Sequence, residues 1–287
     1  MTGVPAPRSR TRRRAALAPR ATVAAVDLRS AARLAVDLAR DAGDLAVAER
    51  ERARVEPKGD GADLVTHVDR EAERRIAAAI ASAHPDHAIL GEEHGQQGAG
   101  PDARYRWLID PLDGTNNYVL GLDVYGVCIT LCDGDAPIVA VVHDSPRRRT
   151  HWAVAGQGAW LSSGDDVEPR RLRVGAAQAL SRTTVSYTQG YAVGYDDARR
   201  NTLFDALERG TKRVLRTWAP SADWCLLAAG SLGALVAYRN EVWDLAGGTL
   251  LAAEAGAVVR TFLDGELVVA GIPETVHELE ALLGASR

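Results

Sequence analysis

Between residues 104 and 163 four strand-like runs follow one another: "RYRWLID", "VYGVCITLCDG", "APIVAVVHDS" and "RTHWAVAGQGAWLSS". Turn signals separate them, so this part of the chain is expected to form a meandering, largely antiparallel sheet. A sheet of that kind must have an apolar face covered, and the flanking sequence supplies helices. Residues 27–53 carry apolar residues at helical spacing among strong helix formers. A polar, glycine-containing stretch follows from Glu56. A second helix is expected from Thr66 to about Ala83, where "HPD" stops it, and then a short strand, "AILGEE". Residues 94–103, rich in Gly and Gln, read as a loop.

The second half alternates. "RTTVSYT", "KRVLRTW", "GALVAYR" and "AVVRTF" read as strands. "DARRNTLFDALERG", "SADWCLLAAG", "WDLAGGTLLAAEAG" and "PETVHELEALLGA" read as helices. Helices, then a sheet, then alternating elements predict an α/β protein of stacked layers. "GQGAWLSSG" reads as a hairpin, and no G-x-G-x-x-G follows a strand. With 46% hydrophobic and 25% charged residues in 287, the composition is that of a soluble globular protein.

Charge is unevenly spread. Arg8, Arg10, Arg12, Arg13, Arg14 and Arg20 stand in the first twenty residues with no acid among them. With these six set aside, the net charge of −4 becomes −10 for the remainder. The tail, residues 1–26, is expected to be a disordered basic arm ahead of one domain at 27–287. A twin-arginine export signal is the sharper alternative, but Arg20 interrupts the apolar segment and Asp27 and Arg29 close it early, so a cytoplasmic body is expected. The acidic body reads against nucleic-acid binding, for which the tail alone would speak. No apolar run reaches the ~20 residues of a membrane span. Cys128, Cys132 and Cys225 lack metal-type spacing and read as buried thiols.

The segment "WLIDPLDGTNNY" sets the chemical question. An apolar strand ends in Asp110, and Asp113 follows three residues later, stiffened by Pro111 and followed by Gly114 and Thr115. Two carboxylates held together at a strand end need positive charge between them. A helix beginning at Gly114–Thr115 would offer free N–H groups to an anion. Glu92 and Glu93 end another strand, while Asp69 and Asp244 sit in the first turns of helices, where each could simply be a favourable acid. An all-oxygen ligand set favours Mg²⁺, Mn²⁺ or Ca²⁺ over zinc.

"GEE", "DPLDGTNNY" and "WDLAGGTLLAAEAG", in this order, resemble the signature segments of the inositol monophosphatase family. "DLVTHVD" and "AVAGQGAW" are similar to two further segments of it. The resemblance spans about residues 28–284. It implies the layered α/β/α/β/α sandwich shared with fructose bisphosphatases, a homodimer, and Mg²⁺-dependent hydrolysis of a small phosphate monoester with two or three ions, Mn²⁺ being possible. By the same resemblance Glu92, Asp110, the carbonyl of Leu112, Asp113 and Asp244 match metal ligands. Asp69 and Thr115, with Glu92, match the catalytic groups, and the N–H groups of Gly114 and Thr115 match the phosphate site. Glu93 is a further candidate.

Inositol 1-phosphate is the first substrate implied, and "DGTNNY" keeps the Asn and aromatic residue of that branch. The chain departs from the family elsewhere. In "RTWAPSADWC", Trp218 and Pro220 stand where small residues are expected, though Ser221 fits. In "AYRNEVWD", Arg239 and Asn240 fall near the acid that contacts ring hydroxyls, with Glu241 a possible substitute. Arg239 would meet a second anionic group or be a solvated loop residue, and Trp218 would narrow the pocket or stack on a base or imidazole. Trp218, Ser221 and Arg239 are therefore the substrate-binding candidates. Histidinol phosphate, a sugar phosphate or a nucleotide-like phosphate stay open beside inositol phosphate, as does a catalytically silent ligand-binding member.

Overall fold

A computed structural model of the chain describes residues 25–58, 63–164 and 168–284, so most of the basic tail lies outside the described residues. Asp27 caps α1 (Leu28–Glu49), its side chain accepting from the Arg29 N–H. The polar stretch expected after it is a hairpin, β1 (Val55–Lys58) with β2 (Asp63–Thr66), leading into α2 (His67–Ala83). Next come β3 (Ala88–Gly91), β4 (Gly95–Gly98), β5 (Tyr105–Asp113), the short α3 (Thr115–Leu120), β6 (Gly126–Asp133), β7 (Ala136–Asp144), β8 (Arg149–Val154), β9 (Gly158–Ser163) and β10 (Arg170–Arg171). The second half runs β11 (Thr184–Gln189), α4 (Ala198–Gly210), β12 (Arg213–Leu215), α5 (Pro220–Ala228), β13 (Ala234–Tyr238), α6 (Val242–Glu254), β14 (Val258–Phe262), β15 (Leu267–Gly271) and α7 (Pro273–Leu282).

The meander expected from residues 104–163 is the body of an eight-stranded sheet, ordered β10-β9-β8-β7-β6-β5-β3-β4. Its neighbours are antiparallel except β3 and β5, which run parallel. A second sheet is ordered β12-β11-β13-β15-β14, with β12, β11 and β13 parallel and the rest antiparallel. Strand alternation then builds the layers. On the large sheet Val127, Ile129, Val139 and Val141 face Ala31, Ala35, Ile76 and Ile80 of α1 and α2. Cys128, Ala140 and Val142 face the other way, onto Cys225, Ala228, Leu250 and Leu251 of α5 and α6. Leu235, Ala237, Val268 and Ala270 of the small sheet meet the same helix pair through Trp224 and Ala252. Val236, Tyr238 and Val269 turn outward onto α4 and α7 through Leu203, Leu207 and Leu279. The result is the α/β/α/β/α stack that the family resemblance implies.

Five strands went unread in the sequence, β1 and β2 of the hairpin among them. β4 lies in the stretch expected to be a loop: its polar Gln96 and Gln97 carry no apolar alternation, and β3 supplies its hydrogen bonds. β15 pairs on both sides within the small sheet, and β10 is a two-residue edge. The three cysteines are buried and unpaired. Among the described residues no helix is long and apolar enough to cross a membrane.

Candidate active site

A one-residue bulge shapes the site. Asp110 pairs with Cys128 and Asp113 with Gly126, so three steps along β5 face two along β6. On a regular strand residues three apart point to opposite faces; the extra residue returns Asp113 to the side of Asp110. Pro111, with no N–H to offer a ladder, falls within the bulge. Asp244, in the first turn of α6, completes the group: one carboxylate oxygen from each of Asp110, Asp113 and Asp244 lies within 4.8 Å of the others.

Each acid is held separately. Asp110 Oδ1 accepts from the Leu112 N–H at 3.0 Å. Asp113 Oδ2 accepts from the Ser221 N–H at 2.8 Å and also from its hydroxyl. Asp244 accepts weakly from the Asn240 amide at 3.4 Å. Trp224 Nε1 donates to the Asp244 carbonyl at 3.0 Å, fixing the start of α6. Gly248, one turn on, lets that Trp pack, since a Cβ there would lie 2.2 Å from the indole ring.

Glu92 follows β3, which runs parallel to β5, and its N–H donates to the Ile109 carbonyl at 3.1 Å. Its carboxylate takes Lys58 Nζ at 2.8 Å, and the same ammonium reaches Glu93 at 2.7 Å. The turn bearing both acids is pinned from α2. The fully buried Glu73 accepts from the Glu93 N–H at 2.7 Å and the His94 N–H at 2.9 Å.

Burial raises every acid at the centre. Asp113 and Asp244 are pushed up to about 7, Asp113 against the pull of Ser221 and Asp244 with Asp113 adding repulsion. Glu92 is raised to about 7 despite Lys58. Asp110 is displaced upward by burial and then by Glu92, Asp113 and Asp244. Such a cluster is short of positive charge. Its donors are all oxygen, which fits Mg²⁺ or Mn²⁺.

Beside it stands a hydrogen-bonded chain from Thr66 through Asp69 to Thr115. Asp69 is the third residue of α2 and closes a capping box: Thr66 accepts from its N–H, and its carboxylate accepts from the Thr66 N–H at 2.9 Å and from the Thr66 hydroxyl. The other oxygen, Oδ1, accepts from Thr115 Oγ1 at 2.9 Å. That hydroxyl is also 2.9 Å from the Leu112 carbonyl, so one proton has two acceptors in reach. Burial raises Asp69 to about 6 against these hydrogen bonds. Gly114 precedes α3 at φ +88, where a Cβ would press within 2.8 Å of the Val124 carbonyl. Gly114 and Thr115 line the cleft where the first N–H groups of α3 lack intrahelical acceptors.

The structure thus gathers Glu92, Asp110, Leu112, Asp113, Gly114, Thr115 and Asp244 on one cleft, with Asp69 behind Thr115. Trp218 also lines it, at φ +56. Ser221 lies beneath, spent on Asp113. Arg239 does not line the cleft: its guanidinium is paired with Glu266 at 2.8 Å and Asp197 at 3.4 Å, the placement of a solvated loop residue. Asn240 and Glu241 line the cleft in its stead. Lys58, Glu73 and Tyr191 were not singled out in the sequence. Only Glu73 left a signal, four residues after Asp69 and so on the same face of α2.

The family model described as the inositol monophosphatase family matches residues 27–284. The Nus factor SuhB of Pseudomonas aeruginosa is 37% identical over 234 residues, covering 80% of this chain and 84% of that protein. The fructose-1,6-bisphosphatase/inositol-1-monophosphatase of Aquifex aeolicus is 31% identical over 207 residues, 72% of this chain and 75% of that one. Among solved structures, the extragenic suppressor protein suhB of Bartonella henselae superposes with a TM-score of 0.79 at 25% identity, covering 90% of this chain and all of that one.

Proposed function

The chain belongs to the inositol monophosphatase family, and from that premise we propose that it is a Mg²⁺-dependent phosphatase for a small phosphate monoester, with inositol 1-phosphate the first substrate to test. One observation carries the reading: the carboxylates of Asp110, Asp113 and Asp244 converge within 4.8 Å in one cleft. Glu92 and the Leu112 carbonyl stand beside them as further ligands, the carbonyl keeping a second lone pair beyond the Thr115 bond. Bound Mg²⁺ would supply the charge that offsets the phosphoryl oxygens and the leaving alkoxide.

The chain's own groups do the rest. The N–H groups of Gly114 and Thr115 donate to phosphate oxygens. Thr115 Oγ1 accepts a proton from the attacking water as it passes its own to Asp69 Oδ1, 2.9 Å away. The water oxygen bonds to phosphorus, the ester P–O bond breaks, and the leaving alkoxide takes a proton from solvent. An Asp69 near 6 is ionised at neutral pH yet basic enough to accept that proton. Lys58 holds Glu92 and Glu93 in place.

The test is phosphate release with Mg²⁺ and with chelator, over inositol 1-phosphate, histidinol phosphate, fructose 1,6-bisphosphate and a nucleoside monophosphate. Release that needs the metal and is lost in Asp110→Asn supports the reading. Release indifferent to chelator, or surviving in Asp110→Asn, would overturn it. The same reading extends to a cytoplasmic homodimer, which light scattering and cell fractionation check.

A further inference from the structure

A second cavity opens beside the catalytic cleft, and its walls are aromatic. Asn116, Leu120, Gln189, Tyr191, Tyr195 and Trp218 line it, and three of these, Gln189, Tyr191 and Trp218, also line the cleft. The two spaces share a wall.

Several polar side chains around this annex are engaged with the protein itself. Gln189 donates to the Val193 carbonyl at 2.9 Å and accepts from Arg200 at 2.9 Å and Arg216 at 3.2 Å. Asn117 donates to the Val124 and Thr217 carbonyls at 2.9 and 2.7 Å, and Asn116 to the Tyr191 hydroxyl at 3.2 Å. Apolar surface is also on offer: Tyr191 is 48% exposed, Tyr195 72% and Leu120 73%. Large apolar groups left open beside a reaction centre point to a ligand.

Trp218 carries the argument further. Its backbone sits at φ +56, a conformation that bulky residues rarely hold, so the surrounding structure imposes it. The Tyr191 and Trp218 rings lie 6.5 Å apart at 32°. Arg216 covers the Trp218 ring with its guanidinium carbon 4.5 Å from the centroid, and Arg200 does the same for Tyr195 at 5.1 Å. Two cations packed on these rings disfavour a cationic guest.

We infer that the annex is a leaving-group subsite for a phosphate monoester whose alcohol carries a neutral, planar aromatic ring, held by Trp218 and Tyr191. The inference rests on the hydrolase reading above and names the substrate class of that site.

The test compares benzyl phosphate with cyclohexylmethyl phosphate, alongside inositol 1-phosphate. Both synthetic esters place a six-membered ring one methylene from the ester oxygen, and their alcohols differ little in acidity, so the kcat/KM ratio reads the ring's flatness. The wild-type ratio is expected at roughly threefold to tenfold in favour of benzyl phosphate. It should fall toward one in Trp218→Gly, a change the positive φ tolerates, and independently in Tyr191→Leu. A wild-type ratio of one overturns the subsite. So does a preference that survives in both variants, or release from inositol 1-phosphate alone. Release from none of the three, with Mg²⁺ present, instead removes the hydrolase reading beneath it.

Discussion

Asp244→Asn should stabilise the metal-free protein at alkaline pH while removing its activity. Burial and the neighbouring Asp113 raise the Asp244 carboxyl from 3.8 to about 7. A folded-state value above the unfolded one means that the group costs nothing below pH ~4. The cost grows as pH climbs and is complete above about 7. A gap of about three pH units corresponds to ~4 kcal/mol. Solvent entering an open cleft reduces that to about 2 kcal/mol. The favourable place of an acid in the first turn of α6, worth ~0.5 kcal/mol, is lost too but is smaller. Asn keeps the shape, so in chelator at pH 8 the variant should melt about 4–8 °C above wild type. At pH 4.5 the difference should shrink to about a quarter of that, because the unfolded carboxyl is already mostly ionised there, and it should vanish near pH ~3. Saturating Mg²⁺ should reverse the order, because the wild type gains about 2.7 kcal/mol at a hundred times Kd and the variant less. Thermal melts at both pH values, with and without Mg²⁺, decide it. An equal difference at pH 4.5 and 8, or a variant less stable at pH 8 in chelator, refutes the electrostatic account.

The remaining expectations concern the proton path and the packing that holds it. Thr115→Ala should cut single-turnover phosphate release by about 10²–10³, while calorimetry shows Mg²⁺ affinity little changed; an unaltered rate removes Thr115 from the reaction. With Asp69 raised to about 6, kcat/KM should fall about tenfold per pH unit below that value, since the protonated carboxyl cannot accept from Thr115. A flat profile to pH 5 contradicts this. Ser221→Ala strips Asp113 of a donor and should weaken Mg²⁺ binding by about 10- to 100-fold, read by titration calorimetry. Gly248→Ala drives a methyl into the Trp224 indole and should cost about 1–3 kcal/mol in urea unfolding; a neutral result means that the two helices can part.

The site was legible where chemistry is unusual for its place in the fold. Carboxylates at the ends of "RWLID" and "AILGEE" and at the head of an apolar helix violate what packing alone would choose. The geometry that unites them was not legible. Residues 110 and 113 have the spacing of opposite strand faces, and the bulge that cancels it exists only in the pairing with β6. Lys58 and Glu73 look like solvated residues because their burial comes from other elements: Lys58 meets Glu92 and Glu93, thirty-four and thirty-five residues on. Arg239 shows the reverse. Its position in "AYRNEVWD" suggested a ligand, but a backbone at φ +52 accompanies a side chain paired with Glu266 and Asp197. β4 escaped because an edge strand can be polar when its neighbour supplies the ladder.

Glu92, Asp110, Asp113 and Asp244, all raised and sharing one cleft, oppose folding, so their anchoring has to come from outside the cluster, and the anchors come from different layers. Lys58 on the β1–β2 hairpin holds Glu92. Glu73 on α2, in the outermost helical layer, pins the turn that bears Glu92 and Glu93. Ser221 at the head of α5, in the layer between the sheets, fixes Asp113 on the large sheet. Trp224, on the same helix, fixes the first turn of α6 and with it Asp244. A chain that lost the docking of α5 and α6 would keep Asp110 on β5 but release Asp113 from its donor and Asp244 from its place. The acids are therefore brought together by the stacking of the layers, and the binding of a cation would in turn oppose their separation.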